Sequence, residues 1–343
     1  MNFYKKHPAM VFVLLVVIIV LVTIFSLTVG QIDVSVKTVL AIVMQKLGLP
    51  FFQDTEVTAE QLAVVWYIRM PRTLIGLMVG SGLAAAGTVM QGIFSNPLAD
   101  PSVIGVSSGA AVGAVWAISL GVSSMYMLPA FAFVGAMVAV AITVGLAMRH
   151  GKIPVMTLLL SGVVVGMLLS AVTSGILTVL SSQKIHQYLF WTIGGLDYRR
   201  WEHVFMGFGP ILLGIGLMLL LARHLNILAL GEVEAKAVGM PVQKYRILLL
   251  IIAAMTTATG VCVSGNIGFV GLVVPHMMRL VVGPDHRVLL PASILLGGVF
   301  LVFCDTVGRV IASPLEIRVG IMTAFLGTPY FLYLLRKSNN KMN

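Results

Sequence analysis

Charged residues are scarce in this sequence: Asp, Glu, Lys and Arg make up 10% of its 343 residues, whereas soluble domains carry roughly 25%. Hydrophobic residues make up 59% of the chain, and the mean hydropathy is +1.03. This composition excludes an ordinary soluble protein and indicates an all-α polytopic membrane protein. A chain of this length holds about ten spans of ~20 residues, so we expect one transmembrane domain over 1–343.

Cysteine and catalytic motifs are also nearly absent. The two cysteines, Cys262 and Cys304, lie in apolar runs without metal-ligand spacing, which predicts neither a disulfide nor a metal site. The only Gly-Lys pair, Gly151-Lys152, is followed by Ile153, so the phosphate-binding G-x-x-x-x-G-K-[ST] motif is missing. The sequence also lacks H-E-x-x-H and Cys-x-x-Cys. We therefore expect no enzymatic activity, no ATP binding by that motif and no cofactor.

Basic residues are the one charge in excess, with a formal net charge of +10. They are scattered through short loops and do not form one face, which favours membrane topology over nucleic-acid binding.

The predicted spans follow from the apolar runs. They fall near 9–29, 73–94, 103–120, 126–148, 155–180, 204–222, 247–264, 267–282, 288–308 and 319–335. The first follows Lys5 and Lys6 and lacks a small-residue cleavage site, so we expect a retained span. The third and eighth are short and surrounded by Pro, Gly and Asn, which predicts broken or half-buried helices. Spans 2–5 and 7–10 start on opposite faces, a parity that allows an inverted repeat.

Orientation is predicted from Lys and Arg. If the N-terminus is cytoplasmic, about 13 of the 22 basic residues lie inside, the bias expected of membrane proteins. They are Lys5, Lys6, Arg149, Lys152, Arg223, Lys236, Lys244, Arg246, Arg279, Arg287, Arg336, Lys337 and Lys341. Both termini are then cytoplasmic. The outer side holds 30–68 with a surface helix, the aromatic-rich loop 181–203, interpreted as an interfacial belt, and the turn 309–318.

A short charged stretch, 228–242, stands between two long apolar runs. Gly231 can open a helix, Glu232 and Glu234 occupy its first turn, and Gly239 with Pro241 ends it. A helix of about two turns cannot bury a face in a core of its own, so it suits docking by a partner. A solvated loop that merely turns the chain is an equally weighted alternative.

Several polar residues lie in or near the predicted spans. Asp305 and Arg309 are four residues apart and can neutralise each other along a helix. His276 follows Pro275, and a neutral imidazole could bond a carbonyl that the proline frees. The glycines of span 2 favour close helix packing. The NPLADP stretch at 96–101, with Asn96-Pro97 and Asp100-Pro101, predicts a rigid turn.

Four motifs carry a resemblance to a known family. They are RMPRTLIGLMVGSGLAAAGTVMQGIFSNPLADPSVIGVSSGA at 69–110, LALGEVEAKAVGM at 228–240, GNIGFVGLVVPHMMRLVVGPDHRVLLP at 265–291 and DTVGRV at 305–310. In this order and spacing they resemble the FecCD-type permeases of iron-chelate and vitamin B12 ABC importers, over nearly the whole chain from residue 60. The resemblance implies the type II importer fold, with ten transmembrane helices per subunit. It also implies a second permease subunit, of the same or a related chain, and two copies of a cytoplasmic ATP-binding subunit.

The resemblance further implies roles for individual residues. Gly231, Glu232, Ala235 and Gly239, within the loop 223–246, match the segment that couples the permease to the ATPase. Arg69, Arg72 and Arg309 match outer arginines that face glutamates of an extracytoplasmic substrate-binding protein, and we expect them to be exposed cations. Arg318 stands where the family commonly has proline, which adds positive charge near the outer mouth.

The expected function is ATP-driven import of a ferric siderophore across a bacterial cytoplasmic membrane. Cobalamin or haem import by the same architecture remains an alternative. An ion-coupled secondary transporter is less favoured, because the carboxylates lie at span ends or in loops.

Overall fold

A computed structural model describes residues 8–50, 52, 55–121 and 124–339. Lys5, Lys6 and Lys341, which the orientation prediction uses, lie outside these residues. Over the described ranges the fold is helical, and the only extended pairing is an isolated bridge between Arg149 and Lys152.

The helices are numbered in chain order. They are α1 Pro8–Thr28, α2 Val36–Lys46, α3 Ala59–Ile93, α4 Val106–Ser119, α5 Met127–Ala147, α6 Val155–Thr178, α7 Ser182–Ile193, α8 Trp201–Leu220, α9 Ala222–Ala229, α10 Glu232–Ala237, α11 Val242–Ser264, α12 Val270–Val282, α13 His286–Ile311 and α14 Val319–Asn339. A π-helical stretch, Ala63–Arg69, lies within α3, and a 3-10 turn, Pro101–Ile104, precedes α4.

The predicted spans coincide with helices. Seven described helices are long and apolar enough to cross a membrane: α1, α3, α5, α6, α8, α11 and α13. The third and eighth spans are short, as predicted, because α4 has 14 residues and α12 has 13. The structure therefore confirms the all-α polytopic fold, while the inverted repeat stays a prediction.

The core forms around α3, whose small residues let other helices approach its backbone. A Cβ atom built on Gly80 would lie 2.2 Å from the carbonyl oxygen of Gly297 in α13, and one on Gly297 would lie 2.4 Å from the carbonyl oxygen of Gly80. Ser81 Oγ also donates to the Ile294 carbonyl at 2.9 Å. The packing role predicted for the span 2 glycines is thus confirmed at Gly80.

The stretch 181–203 differs from its prediction as a loop, because it contains α7. Lys184 Nζ fixes this helix to the end of α4 by donating to the Ser119 carbonyl at 2.8 Å. Tyr188 and Trp191 are buried, whereas Tyr198 is almost fully exposed. The interpretation of all these aromatics as an interfacial belt is therefore wrong for Tyr188 and Trp191, which pack into the protein.

Candidate coupling and docking sites

The segment 228–242 folds as its sequence predicts. Helix α10 spans Glu232–Ala237, with Gly231 before it at φ +116° and Gly239 after it at φ +78°. L-residues with side chains rarely adopt these φ values, so glycine is the fitting residue at both ends. The predicted short helix is therefore confirmed, while its docking role, against the alternative of a solvated segment that merely turns the chain, stays a prediction.

This segment is held to the rest of the chain by a few contacts. Ala235 is fully buried. Glu232 Oε1 accepts from Lys236 Nζ at 2.7 Å, and Glu232 Oε2 lies 3.3 Å from Arg246 Nη1. Hydrogen bonding by Lys236 and the nearby charge of Arg246 lower the pKa of Glu232 below its ordinary value, against a smaller opposing effect of desolvation.

Arg246 extends this attachment to the loop between α5 and α6. Its Nη1 donates to the Ile153 carbonyl at 3.1 Å, and the Ile153 amide donates to Gln243 Oε1 at 3.0 Å. Arg246, near the base of α11, therefore connects α10 to the loop before α6.

The exposed residues of the segment include three apolar ones beside the charged Glu234 and Lys236. Leu230, Val233 and Val238 are 67, 77 and 67% exposed, although they flank or belong to a helix rich in charge. Exposed apolar residues grouped in this way mark interaction surfaces. The surface formed by these three residues is called the coupling ridge below.

The arginines predicted to dock a binding protein lie in two helices. Arg69 and Arg72 are in the N-terminal half of α3, and Arg309 is near the C-terminal end of α13. Arg72 donates to both oxygens of Asp305, through Nε at 2.8 Å and Nη2 at 2.9 Å, and through Nη1 to Glu316 at 2.8 Å. Arg72 and Asp305 are both buried. This bidentate pair fixes α3 against α13 and holds Glu316, which precedes α14, beside them.

Arg69 and Arg309 bind the end of α1. Arg69 donates to the carbonyls of Leu27 at 2.9 Å and Thr28 at 2.8 Å, and also to that of Ile32. Arg309 Nη2 donates to the Ser26 carbonyl at 2.8 Å. A helix leaves its last carbonyls without partners, and guanidinium groups both satisfy and electrostatically complement them.

The expectation that these arginines are exposed cations is therefore wrong. Arg69, Arg72 and Arg309 are 4, 8 and 5% exposed, and each is bonded within the chain. The sequence places them at helix ends but does not show that α1 packs over them. The predicted pairing of Asp305 with Arg309 is a secondary contact, at 3.7 Å, because Arg72 takes both carboxylate oxygens. Their docking role stays a prediction.

A cavity of about 930 Å³ opens beside this cluster, and we call it the arginine cavity. Its charged lining residues are four arginines and two carboxylates: Arg72, Arg199, Arg200, Arg318, Asp197 and Glu316. Burial lowers the pKa of Arg199 in spite of the neighbouring Asp197 carboxylate, and Arg199 Nε has no hydrogen-bond partner in the described part of the chain. The lining thus carries more positive charge than its own carboxylates balance.

Arg318, which stands where the family commonly has proline, immediately precedes α14. Its Nη2 donates to Asp197 Oδ2 at 2.8 Å, and its guanidinium lies 4.5 Å from the centre of the Phe190 ring. Arg318 therefore ties the start of α14 to α7 and to the loop that follows α7. This contact could not be predicted from sequence, because 121 residues separate Arg318 from Asp197.

His276 does not make the predicted bond through Nδ1. That nitrogen is buried without a hydrogen-bond partner among the residues the structure describes.

Comparison with known proteins identifies the family to which this architecture belongs. The FecCD transport family matches residues 17–337. A cobalamin import permease of Halobacterium salinarum, BtuC, is 49% identical over 80% of this chain and 73% of its own. The Fe(3+)-citrate import permease YfmD of Bacillus subtilis is 38% identical over 96% of both chains. The hemin transport permease HmuU of Yersinia pestis is 35% identical over 98% of both.

A solved structure agrees with these relatives. A metal-chelate type ABC transporter in an inward-facing conformation superposes with a TM-score of 0.85 at 33% identity, covering 96% of this chain and 100% of that one. The relatives are permease subunits and not enzymes, since ATP hydrolysis lies in a separate subunit. This chain belongs to the FecCD transport family and is a membrane-spanning permease subunit of an ABC importer.

Proposed function

We propose that the chain carries a ferric siderophore into the cytoplasm, as one of two permease subunits driven by two copies of an ATP-binding subunit. In this proposal the coupling ridge faces the cytoplasm, both termini lie on the same side, and the arginine cavity opens outward. The membrane is the bacterial cytoplasmic membrane.

The observation that carries the substrate class is the charge of the arginine cavity. Four arginines line it against two carboxylates, and a cleft with one excess sign concentrates ligands of the opposite sign. Positive lining favours an anionic chelate over a neutral ligand. It also favours a partner protein that presents carboxylates, so the same surface suits delivery by an acidic binding protein.

Coupling to ATP hydrolysis is proposed at Gly231, Glu232, Ala235 and Gly239. Gly231 and Gly239 flank the two ends of α10. Ala235 is buried against the rest of the chain, and Glu232 forms an ion pair with Arg246. The coupling ridge is the part of this segment left for the ATPase to cover. Movement of the ATPase would reach α11 and α6 through Arg246 and its bond to Ile153.

Docking of an extracytoplasmic binding protein is proposed on the arginine-cluster side, with Arg69, Arg72 and Arg309 as its predicted residues. Because their guanidinium groups are bonded within the chain, a partner carboxylate reaches them only by replacing an internal acceptor. Glu316 is the acceptor most open to replacement, since its side chain is 34% exposed while that of Asp305 is 2% exposed.

Cobalamin is the second candidate substrate. The relative from Halobacterium salinarum is named for cobalamin import and is 49% identical to this chain, whereas the relatives named for ferric citrate and hemin are 38 and 35% identical.

Reconstitution separates these substrates. The permease, its ATP-binding subunit and its binding protein are placed in liposomes, and uptake of ⁵⁵Fe-siderophore, ⁵⁷Co-cobalamin and haem is measured with ATP. We expect ATP-dependent uptake of the iron chelate. Uptake of cobalamin alone would overturn the siderophore assignment, and uptake in vesicles without the ATP-binding subunit would overturn ATP-driven import.

A further inference from the structure

A second, smaller cavity lies where two interruptions of the helical structure meet. It encloses about 160 Å³, between the 3-10 turn before α4 and the link from α11 to α12. Its polar lining consists of Asp100, Ser102, Ser107, Thr257 and Asn266. The two groups of residues come from opposite halves of the chain, so the cavity is formed only by the folded protein.

The cavity lies at the depth of the membrane-spanning helices. Leu83, midway along the segment Met70–Ile93 of α3, is part of its lining. A Cβ atom built on Gly271 would lie 3.0 Å from the Leu83 carbonyl oxygen and 3.1 Å from Asp100 Oδ2. The half-buried Asp100 carboxylate is thus beside the middle of a spanning helix.

Asp100 has no charge partner in the described part of the chain. Its Oδ1 accepts from the Ser102 amide at 2.9 Å, which leaves Oδ2 without a hydrogen bond there. The ion pairs of the described residues do not include Asp100. Asp100 Oδ2 is therefore available to a cation in the cavity.

Thr257 supplies an independent sign of a ligand. It is only 3% exposed, and its hydroxyl has no hydrogen-bond partner among the described residues. The neighbouring Thr256 and Thr259 behave differently, since their hydroxyls donate to carbonyls of their own helix at 2.8 and 2.9 Å. An unpaired buried hydroxyl is unfavourable, and this one lines the cavity next to Asp100.

We propose that this cavity binds a monovalent cation, and specifically sodium. Carboxylate, hydroxyl and amide oxygens are hard donors that suit small cations without transition-metal chemistry. One carboxylate balances one positive charge, whereas protein sites for Ca²⁺ use several carboxylates among six to eight oxygen ligands. The volume accommodates an ion with a few waters and is too small for an iron chelate.

A bound cation would join two parts of the chain that no ion pair joins here. Asp100, Ser102 and Ser107 belong to the start of α4, whereas Thr257 belongs to α11 and Asn266 follows it. The cation would hold both interruptions in one arrangement. This site stands on these contacts alone and is independent of the transported substrate.

Binding of ²²Na⁺ to the full-length purified permease in nanodiscs tests the proposal, with choline as the replacement cation. We expect saturable binding of one sodium per chain, together with a rise in Tm in sodium relative to choline. Asp100→Asn keeps an oxygen for the Ser102 amide but removes the charge, and should lose both effects. Thr257→Val should weaken binding at least tenfold, since it removes one oxygen ligand at nearly constant volume.

Thr259→Val is the matched control, because its hydroxyl bonds its own helix, and it should bind sodium as the unmodified protein does. Tm in choline reports whether each variant is folded. If Asp100→Asn does not fold, the sodium affinity of Thr257→Val tests the site. Absence of saturable sodium binding by the unmodified chain, or equal binding by Thr257→Val, would overturn the site.

Discussion

Arg72 and Asp305 form a bidentate ion pair across 233 residues of sequence, at 2.8 and 2.9 Å, with both side chains almost entirely buried. The pair closes the contact between α3 and α13 at the same end where Arg309 and Arg69 bind α1. Its removal should therefore affect folding before it affects docking.

Arg72→Ala should destabilise the permease by about 3–5 kcal/mol, because it leaves the Asp305 carboxylate buried beside only the more distant Arg309. Thermal unfolding in detergent and the folded yield measure this loss. The paired variant Arg72→Met with Asp305→Leu should recover part of it, since neither buried member of the pair is then left without the other, while Glu316 loses its partner and Arg309 its longer contact. Arg287→Ala, which breaks an exposed pair with Asp285, is the control and should change little. An Arg72→Ala variant as stable as this control would contradict the structural role.

Glu232→Arg and Gly239→Trp should leave the permease inserted but uncouple it from ATP hydrolysis. The first places a cation beside Lys236 and Arg246. The second puts a bulky residue at φ +78°, a value that favours glycine. Co-purification of the ATP-binding subunit and uptake per ATP hydrolysed measure the effect.

Glu234→Arg is the matched control for charge, because Glu234 lies on the same helix and forms no ion pair in the described structure. It should retain more coupling than Glu232→Arg. Full coupling in both Glu232→Arg and Gly239→Trp would remove the coupling role of α10.

Gly80→Ala should lower stability by about 1–3 kcal/mol, as overpacking does in well-packed interiors. The new Cβ would lie 2.2 Å from the Gly297 carbonyl oxygen, a backbone atom that no rotamer change can move. Gly216→Ala in α8 is the control, since a Cβ there meets no atom within 4 Å. Unfolding midpoints of the two variants give the comparison, and equal midpoints would show that the Gly80 contact is not tight.

The attachment of α10 should weaken in acid. The pKa of Glu232 in the folded protein lies below its ordinary value of 4.5, so its stabilising contribution is complete above that value. It is lost as the pH falls through the folded pKa. Because Glu232 is partly exposed, the effect is small and local.

Hydrogen exchange of 232–238, corrected for its intrinsic pH dependence, measures this attachment. Protection should be constant down to about pH 5 and fall below about pH 4.5. Glu232→Gln should show reduced protection at neutral pH, and its difference from the unmodified protein should disappear as the pH falls through the folded pKa of Glu232. A pH-independent difference between the two proteins would contradict the assignment.

Arg318→Pro restores the residue that the family commonly has and should leave the fold intact. Arg318 lies before the first residue of α14, where proline is tolerated. Its half-exposed pair with Asp197 should contribute under about 1 kcal/mol. The arginine cavity would lose one positive charge, so the KM for an anionic chelate should rise at low salt and approach that of the unmodified protein at high salt.

Arg318→Gln separates charge from backbone in that experiment, because it removes the cation without introducing proline. It should raise KM as Arg318→Pro does. A normal KM in both variants would show that the cavity charge does not act on the substrate.

The spans and the segment 228–242 could be predicted because each depends on local sequence. Apolar runs of about 20 residues set the long helices, and Gly231 and Gly239 set the ends of α10. The contacts of the arginine cluster could not be predicted in this way. Arg69 bonds carbonyls about 40 residues away and Arg309 bonds Ser26 across 283 residues, so only the packing of α1 determines that these cations are buried.

The helix α7 was missed for a related reason. Its polar residues and aromatics suggest a loop at an interface, and burial of Tyr188 and Trp191 arises from packing against helices distant in sequence. Asp100 was likewise predicted as part of a turn, and the sequence alone does not place it beside Thr257.

The contact between Gly80 and Gly297 also limits how the permease can move. Where two main chains touch directly, no side-chain rotation can accommodate sliding of one helix against the other. We therefore expect α3 and α13 to move as one rigid unit. Conformational change during transport then involves helices that make fewer contacts with the rest of the chain. Helix α6 is one of these, since most of its surface is uncovered within the chain and its start is tied to the coupling segment through Ile153. We therefore expect a push on α10 to reach α6 through Arg246 and Ile153 without moving α3 against α13.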